Sequence, residues 1–309
     1  ASNTLYYQWE NFVNYNKSFN KHNVGGMVGM SYSNNRSYSV SGSKSGSDGD
    51  LGVVQDNPLF YYFAYATAGA NDSVSGGQES ISRNLSYFGR LSYDYANKYF
   101  LQVSFRADAA DLSILPQPKR WGYFPAASAG WTISEEPFFA GAKNVMNFFK
   151  FRASWGLLGN QNTNNWYQTY RTIGFTASNG SWLQNGVKPN TASFPDLVSS
   201  VLTWEKIENY NIGVDFGLFN NRLTGSFDWY IRNTKDMVGN APELPAVLGA
   251  KVPLTNNTDL RTTGWDFEIA WKDRLNNGLG YNAKFTLSER LIRTAPSDGK
   301  LEPAASWLL

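Results

Sequence analysis

The chain has 309 residues, which is enough for one large β domain or two ordinary domains. Its 27 lysines and arginines nearly balance its 25 aspartates and glutamates, and no segment carries a basic stripe, so a typical nucleic-acid-binding surface is excluded. The absence of cysteine excludes a disulfide framework, a thiolate metal site and a cysteine nucleophile.

Composition favours strands over helices. Aromatic residues make up 16% of the chain, and 28 glycines accompany many asparagines and serines. No apolar run approaches the roughly 18 residues of a membrane helix. The mean hydropathy of -0.42 is typical of a soluble protein, but it does not exclude a membrane β-barrel, in which only alternate residues face lipid. The chain begins ASNTLYYQWENF, without an initiator methionine or a secretory signal, so we expect a fragment or a mature segment.

Alternation of apolar and polar residues is the main signal along the chain and predicts about ten antiparallel strands. In the second hairpin, for example, Leu91 and Tyr93 share one face while Ser92 and Asp94 share the other. Asparagine-rich turns between alternating runs are strong hairpin signals. The predicted hairpins pair residues 5–15 with 24–32, 85–95 with 99–107, 211–218 with 223–232, and 265–272 with 279–287.

The connections between the predicted strands alternate in length. Short turns lie near Lys21, Asn97, Asn220 and Asn277, and a medium one covers residues 135–147. Long polar segments cover residues 39–82, 111–119, 159–203 and 239–260. Short turns at one end and long loops at the other are typical of an outer-membrane barrel. We therefore predict an all-β, antiparallel transmembrane β-barrel.

The segment RWGYFPAASAGW, residues 120–131, has two interpretations. Trp121 and Trp131 are ten residues apart with equal parity, and ten tilted residues span roughly 25 Å, the height of a lipid-facing band. Pro125 argues against one continuous strand, because proline interrupts ladder pairing. The alternative is a rim over residues 120–125 with the strand beginning at Ala126. We predict an aromatic girdle at the membrane interfaces, formed by Trp121, Trp131, Trp229, Trp265 and Trp271.

The loop over residues 159–203 carries the candidate substrate contacts. Flat aromatic faces beside amide and hydroxyl groups suit a sugar ring, although loop packing or contact with a partner explains them as well. The candidates are Trp166, Tyr167, Tyr170 and Trp182.

Catalytic and metal chemistry find little support. The single histidine, His22, lies in a predicted turn, and one histidine supports neither a catalytic triad nor a histidine metal site. The pairs Glu205 with Glu208 and Glu135 with Glu136 resemble glycosidase carboxylates, but charges at strand ends explain them better. Residues 47–50, SDGD, lack the ligand spacing of a calcium loop. We predict no enzyme activity, no metal site and no cofactor.

Five ordered segments resemble TonB-dependent transporters of the SusC/RagA type, from Bacteroidetes outer membranes. The segments are YNKSFNKHNVGGMVGMSY, LSYDYANKYFLQVSFRAD, RWGYFPAASAGWTISEEPF, FKFRASWGLLGNQ and LTWEKIENYNIGVDFGLFNNRLTGSFDWYIRNTKDM. The resemblance implies part of a large, 22-stranded barrel with an internal plug. It also implies a SusD-like surface lipoprotein as partner, energy supplied through TonB, and an oligosaccharide or peptide as cargo.

The chain departs from the family in several places. We expect the given residues to include no plug, through which the TonB complex would act, and about half of the strands of the family barrel. The run DAADLSILPQPK and the run RTTG at residues 261–264 differ from the family pattern. We expect residues 1–292 to form a partial barrel domain and residues 293–309 to be an atypical tail.

Three functions follow as hypotheses. The first is part of an outer-membrane active transporter that contacts outer-membrane lipid and binds no nucleic acid. The second is a passive outer-membrane channel, and the third is a soluble β-rich carbohydrate-binding domain.

Overall fold

The computed structural model describes most of the chain. The described residues are 1–43, 73–111, 114–161, 170–171, 173–193, 195, 197–199, 202–240, 253–275, 278–296 and 302–303. None of the helices among them is long and apolar enough to cross a bilayer.

Thirteen strands are found in these residues, together with three short 3-10 helices at Gln117–Lys119, Ile133–Glu135 and Pro137–Ala142. The strands are β1 Ser2–Phe19, β2 His22–Ser43, β3 Ser73–Tyr95, β4 Tyr99–Ala109, β5 Trp121–Thr132, β6 Met146–Asn160, β7 Phe175–Thr176, β8 Thr191–Ala192, β9 Glu205–Leu218, β10 Leu223–Asn240, β11 Leu254–Arg274, β12 Gly280–Pro296 and β13 Glu302–Pro303. All except β7 and β8 are hydrogen-bonded in one sheet in chain order. The predicted all-β, antiparallel class with about ten strands is confirmed.

The chain divides into two compact units. The smaller comprises Ala1–Trp9 and Tyr32–Asn84. There the amide of Val40 donates to the carbonyl of Ala1 at 2.8 Å, and Arg36 forms an ion pair with Glu79.

The larger unit comprises Glu10–Ser31 and Leu85–Leu309 and has two chemically different faces. Cross-strand pairing from β4 to β12 aligns an apolar row: Tyr99, Trp131, Phe151, Val214, Phe227, Phe267 and Leu287. The adjacent row points to the opposite face and is mainly polar: Phe100, Gly130, Arg152, Gly213, Asp228, Asp266 and Ser288. We call these surfaces the apolar face and the polar face.

The predicted short turns are confirmed where the structure describes them. Asn20, Ala96 and Asn97 have positive φ angles, as do Phe219, Asn220 and Asn221. Asparagine tolerates this conformation better than most residues, and asparagine-rich runs in the sequence therefore indicate these turns. Asn276 and Asn277, predicted for the last turn, lie outside the described residues.

Two of the predicted long connections are shorter in the structure. β2 continues to Ser43 and β3 begins at Ser73, both inside the segment assigned to residues 39–82. Likewise β10 continues to Asn240, and β11 begins at Leu254. In these stretches polar residues predominate on both faces of the strands, so no clear alternation marks them. The side chains of Ser41 and Ser75 nevertheless hydrogen-bond across the ladder at 2.7 Å.

The interpretation that a strand begins at Ala126 is wrong. β5 begins at Trp121, and Pro125 lies within it, paired with Phe105 of β4. Pairing with β6 starts only at Ala126. The proline therefore lies in the part of β5 that is paired on one side, where proline is tolerated.

Few side chains are buried. In the described residues the buried hydrophobic side chains are Ala107, Ala109, Ala110, Leu115, Phe124, Leu202 and Trp204. A soluble domain of this length buries about three quarters of its unfolded surface. Hydrogen bonds between the strands and contacts along the two faces therefore stabilise the sheet.

β12 runs to Pro296, and the predicted division of the chain into a barrel domain up to residue 292 and a tail from residue 293 stays a prediction.

Candidate functional site

A recess of about 480 Å³ opens on the polar face of the larger unit. Its floor is a row of short polar side chains in which Ser128 of β5 pairs with Gln102 of β4 and Ser154 of β6, and Ser154 pairs with Asn211 of β9. Amide and hydroxyl groups offer both donors and acceptors. The recess can therefore hydrogen-bond a polar surface.

Glycines leave this space open. A Cβ at Gly25 would lie 2.6 Å from Ser92 Oγ and 2.8 Å from Asn16 Oδ1. A Cβ at Gly130 would lie 3.2 Å from Cε of Lys150. The Nζ atom of Lys150 lies 4.3 Å from the centre of the Phe100 ring, an arrangement in which the aromatic face holds the cation at the edge of the recess.

Arg152 lines the recess and belongs to a charged network. The guanidinium of Arg152 donates to both carboxylate oxygens of Asp215, at 2.7 and 2.9 Å, and to Asp228 Oδ2 at 3.0 Å. A bidentate pair fixes geometry as well as charge. Gly213 lies between the partners, and a Cβ there would approach Asp228 Oδ1 to 2.3 Å. The arrangement thus requires glycine at this position.

A small hydrophobic cluster anchors the sheet at the long-connection end. The rings of Phe124 and Trp204 meet edge to face at 5.3 Å, and Leu115 and Leu202 are buried beside them. Trp204 Nε1 donates to the carbonyl oxygen of Arg120 at 2.9 Å. This contact explains the segment RWGYFP: Arg120 and Phe124 hold the β4–β5 connection against the start of β9.

The candidate substrate contacts are only partly visible. Trp166 and Tyr167 lie outside the described residues. Tyr170 and Trp182 are both exposed, at 51% and 60%. Trp182 lies in the loop that contains β7 and β8. Its role and that of the other three aromatics stay predictions.

The candidate girdle tryptophans lie at different positions along the strands. Trp121 pairs with Ala109 at the end of β4, and Trp131 with Tyr99 at its start. Trp271 pairs with Leu223, the first residue of β10. Trp229 and Trp265 face each other six residues farther from that turn, about 20 Å along the strand. The girdle role of all five stays a prediction.

The sequence did not reveal a set of indole–carboxylate hydrogen bonds along the apolar face. Indole Nε1 donates from Trp131 to Glu136 at 3.2 Å, from Trp155 to Glu208 at 3.3 Å and from Trp265 to Glu289 at 3.0 Å. Trp131 and Glu136 are close in sequence, but the two residues of each other pair are far apart in the chain. Only the sheet register brings the others together.

Glu136 lies outside the strands and accepts three side-chain hydrogen bonds. It accepts from the Tyr99 hydroxyl at 2.6 Å, from Trp131, and from Lys98 Nζ at 3.2 Å. The Tyr99 hydrogen bond, followed by those from Trp131 and Lys98, lowers the pKa of Glu136 below its ordinary value. This contact set favours a structural role over glycosidase chemistry.

The other residues weighed for chemistry also have structural partners. His22 Nδ1 lies 2.7 Å from the Tyr93 hydroxyl, and its ring stacks on Phe19. Glu205 accepts from Asn160 and from the amide of Val238. Within the described residues no group of three or more metal-binding side chains is found. Residues 47–50, weighed for calcium, lie outside the described residues.

The comparisons with known proteins agree with one another. A family model described as "TonB dependent receptor-like, beta-barrel" matches residues 1–307. A TonB-dependent receptor of Formosa agariphila is 31% identical over 302 residues, which are 96% of this chain and 27% of the relative. The TonB-dependent receptor SusC of Bacteroides thetaiotaomicron is 31% identical over 207 residues, 66% of this chain and 20% of the relative.

The solved structures show the same fold. The structure of the RagAB peptide transporter matches with a TM-score of 0.79 at 20% identity, over 96% of this chain and 30% of that chain. The chain spans about a quarter of the length of the curated relatives that it matches.

Proposed function

We propose that this chain, which belongs to the TonB-dependent receptor β-barrel family, forms part of the wall of an outer-membrane transporter. The observation that carries the proposal is the pair of adjacent rows across β4 to β12, one apolar and one polar. Lipid-facing and lumen-facing residues alternate in this way along the strands of a transmembrane barrel. A transport role is non-enzymatic and needs no catalytic site.

The exposure of the apolar face favours a membrane over water. Leu101, Phe105, Phe285 and Leu287 are each about half exposed, between 49% and 56%. Soluble monomers rarely expose contiguous apolar patches of this kind. This argues against a soluble carbohydrate-binding domain.

The cargo is proposed to be an oligosaccharide or a peptide, taken up by TonB-dependent active transport. The amides and hydroxyls that line the recess on the polar face suit the hydroxyls of a sugar and the amides of a peptide. We further propose that a SusD-like surface lipoprotein binds at the long-connection end. The aromatic residues Tyr170 and Trp182 belong to that end and are candidates for contact with cargo or partner.

Uptake measurements in cells test this proposal. Cells that carry the full-length protein would be incubated with fluorescein-labelled maltooligosaccharides or with a labelled mixture of tryptic peptides. We expect the protein in the outer-membrane fraction, and we expect accumulation of one probe class that disappears when TonB is deleted or the proton gradient is collapsed. Uptake that persists without TonB would indicate a passive channel, and a protein found in the soluble fraction would overturn the proposal.

A further inference from the structure

Two arginines face each other on neighbouring strands. Arg261 of β11 pairs directly with Arg293 of β12. Both residues are exposed. Side chains directly opposite on adjacent strands lie about 5 Å apart at Cβ, and like charges in that position repel each other. The sheet therefore carries an electrostatic cost at this pair.

Neither arginine has a compensating partner in the part of the chain that the structure describes. No hydrogen bond or ion pair joins either guanidinium to another described residue. Two lysines on β9 and β10, by contrast, do form ion pairs. Lys235 pairs with Glu208 at 2.9 Å, and Lys206 pairs with Asp236 at 3.3 Å.

On each strand, the carboxylate that lies nearest along the chain on the same face as the arginine has a hydrogen-bond donor of its own. Asp259, two residues before Arg261, accepts a hydrogen bond from the amide of Asp236 at 3.1 Å. Glu289, four residues before Arg293, accepts from Trp265 Nε1 at 3.0 Å. Neither carboxylate forms an ion pair with Arg261 or Arg293, so both guanidinium groups can donate hydrogen bonds to an external anion.

Their place on the sheet identifies the kind of anion. By alternation, Arg261 shares the apolar face with Trp265 and Phe267 of β11, and Arg293 shares it with Leu291 of β12. The arginines border the apolar band on the side of the long connections, about 13 Å along the strand from the Trp265 position. Cationic side chains at the border of a lipid-facing apolar band lie at the depth of the lipid headgroups.

We propose that Arg261 and Arg293 together bind the phosphate of an anionic membrane lipid, whose acyl chains lie along the apolar face. The planar guanidinium matches the oxygens of a phosphate in a two-pronged geometry. A phosphate between the two side chains replaces their repulsion with two attractions. The exposed side chains of Leu287 and Leu291 extend from the pair into the apolar band and offer a surface to an acyl chain. This inference rests on the proposed membrane location of the chain.

Lipid binding to the full-length protein tests the inference. The purified protein in detergent would be titrated with a bisphosphorylated lipid A and analysed by native mass spectrometry. We expect the double variant R261Q/R293Q to bind this lipid at least about tenfold more weakly, as the loss of charge-assisted hydrogen bonds implies. The matched control is R290Q, because Arg290 is also an exposed arginine of β12 but lies on the polar face. The R290Q variant should bind the lipid as tightly as the unchanged protein does.

Further arms separate the sources of phosphate. Lipid A from which both phosphates have been removed should bind the unchanged protein as weakly as the intact lipid binds the double variant. Inorganic phosphate at millimolar concentration should not displace the intact lipid; displacement would identify free phosphate as the ligand and overturn the lipid assignment. Without lipid, R261Q should be at least as heat-stable as the unchanged protein, because the repulsion is relieved.

Two results would contradict the inference itself. One is equal lipid binding by R261Q/R293Q and the unchanged protein. The other is a double variant R261Q/R293Q that binds lipid normally but no longer co-purifies with a partner protein. That result would make Arg261 and Arg293 a protein contact. Outer-membrane fractionation of the unchanged protein tests the proposed function separately, so the two proposals can fail independently.

Discussion

The indole Nε1 of Trp155 donates a hydrogen bond to Glu208 Oε1 at 3.3 Å, although the two residues are 53 positions apart in the chain. The same carboxyl group also accepts from Lys235 Nζ and from the Tyr210 hydroxyl, at 2.9 and 2.7 Å. An indole, a phenol and an ammonium group on one carboxylate make a polar cluster on the apolar face. Tryptophan and tyrosine are enriched at membrane interfaces, where such mixed groups are stable.

Replacing Trp155 with phenylalanine removes the N–H donor and keeps an aromatic ring. We expect W155F to lower the free energy of unfolding by about 1 kcal/mol, the usual value of one hydrogen bond to a charged group near solvent. Thermal unfolding in detergent would measure the loss. The control is W121F, because no hydrogen bond from the Trp121 indole is found among the described residues. Equal losses in the two variants would mean that ring size, and not the hydrogen bond to Glu208, matters.

A methyl group at Gly213 should break the Arg152 network. The added Cβ would lie 2.3 Å from Asp228 Oδ1 and 3.1 Å from Arg152 Nη2, so the carboxylate must move away. We expect G213A to destabilise the protein by about 1 to 3 kcal/mol, the cost of leaving a partly buried charged group poorly paired. G141A is the matched control, since a Cβ at Gly141 meets nothing within 4 Å. A G213A variant as stable as G141A would contradict the steric argument.

The contribution of Glu136 to stability should depend on pH. Its pKa is lowered in the folded protein from the ordinary 4.5, mainly by the Tyr99 hydroxyl. The stabilisation is therefore complete above the unfolded value and is lost as pH falls through the lower folded value. In thermal scans between pH 7 and pH 3, the difference between the unchanged protein and E136Q should shrink at the acid end. E135Q serves as the control, because Glu135 makes only an exposed pair with Lys143. A difference that stays constant with pH would contradict the role of the Glu136 charge.

Removing the Phe124 ring should loosen the cluster at the long-connection end. Phe124 is 8% exposed and packs against Trp204, so F124A leaves a cavity beside a buried indole. The expected loss is about 3 kcal/mol, as for other buried phenylalanines. F138A removes a ring that is 71% exposed and should change stability little. Chemical denaturation in detergent would compare the two, and similar effects would argue against a packed cluster.

The sequence was sufficient for the hairpins because alternation and asparagine turns are local signals. The pattern alone predicts the pairing of residues 85–95 with 99–107 around the turn at Ala96–Lys98, and the structure has this pairing. The outer parts of β2 and β3 could not be recognised, because Ser41 and Ser75 belong to stretches in which neither face is apolar. Nothing local distinguishes such a strand from a polar loop.

The contacts of the candidate site required the register of distant strands. Arg152 meets Asp215 and Asp228 across separations of 63 and 76 residues. The sequence shows Glu205 and Glu208 as a pair, but it does not indicate their partners Asn160, Trp155 and Lys235. A parity pattern tells which face a side chain occupies, whereas its cross-strand neighbour depends on how far each strand is shifted.

In the proposed barrel wall, the apolar face contacts lipid and the polar face contacts water. Because the chain contains no cysteine, single cysteines can be placed at each position from 101 to 106 of β4 and spin-labelled without background. In the full-length protein in bilayers, we expect collisions with oxygen to be most frequent at Leu101, Val103 and Phe105. Collisions with a water-soluble nickel complex should be most frequent at Gln102, Ser104 and Arg106. Equal accessibility at odd and even positions, or water contact on both faces, would contradict this placement of the sheet in the bilayer.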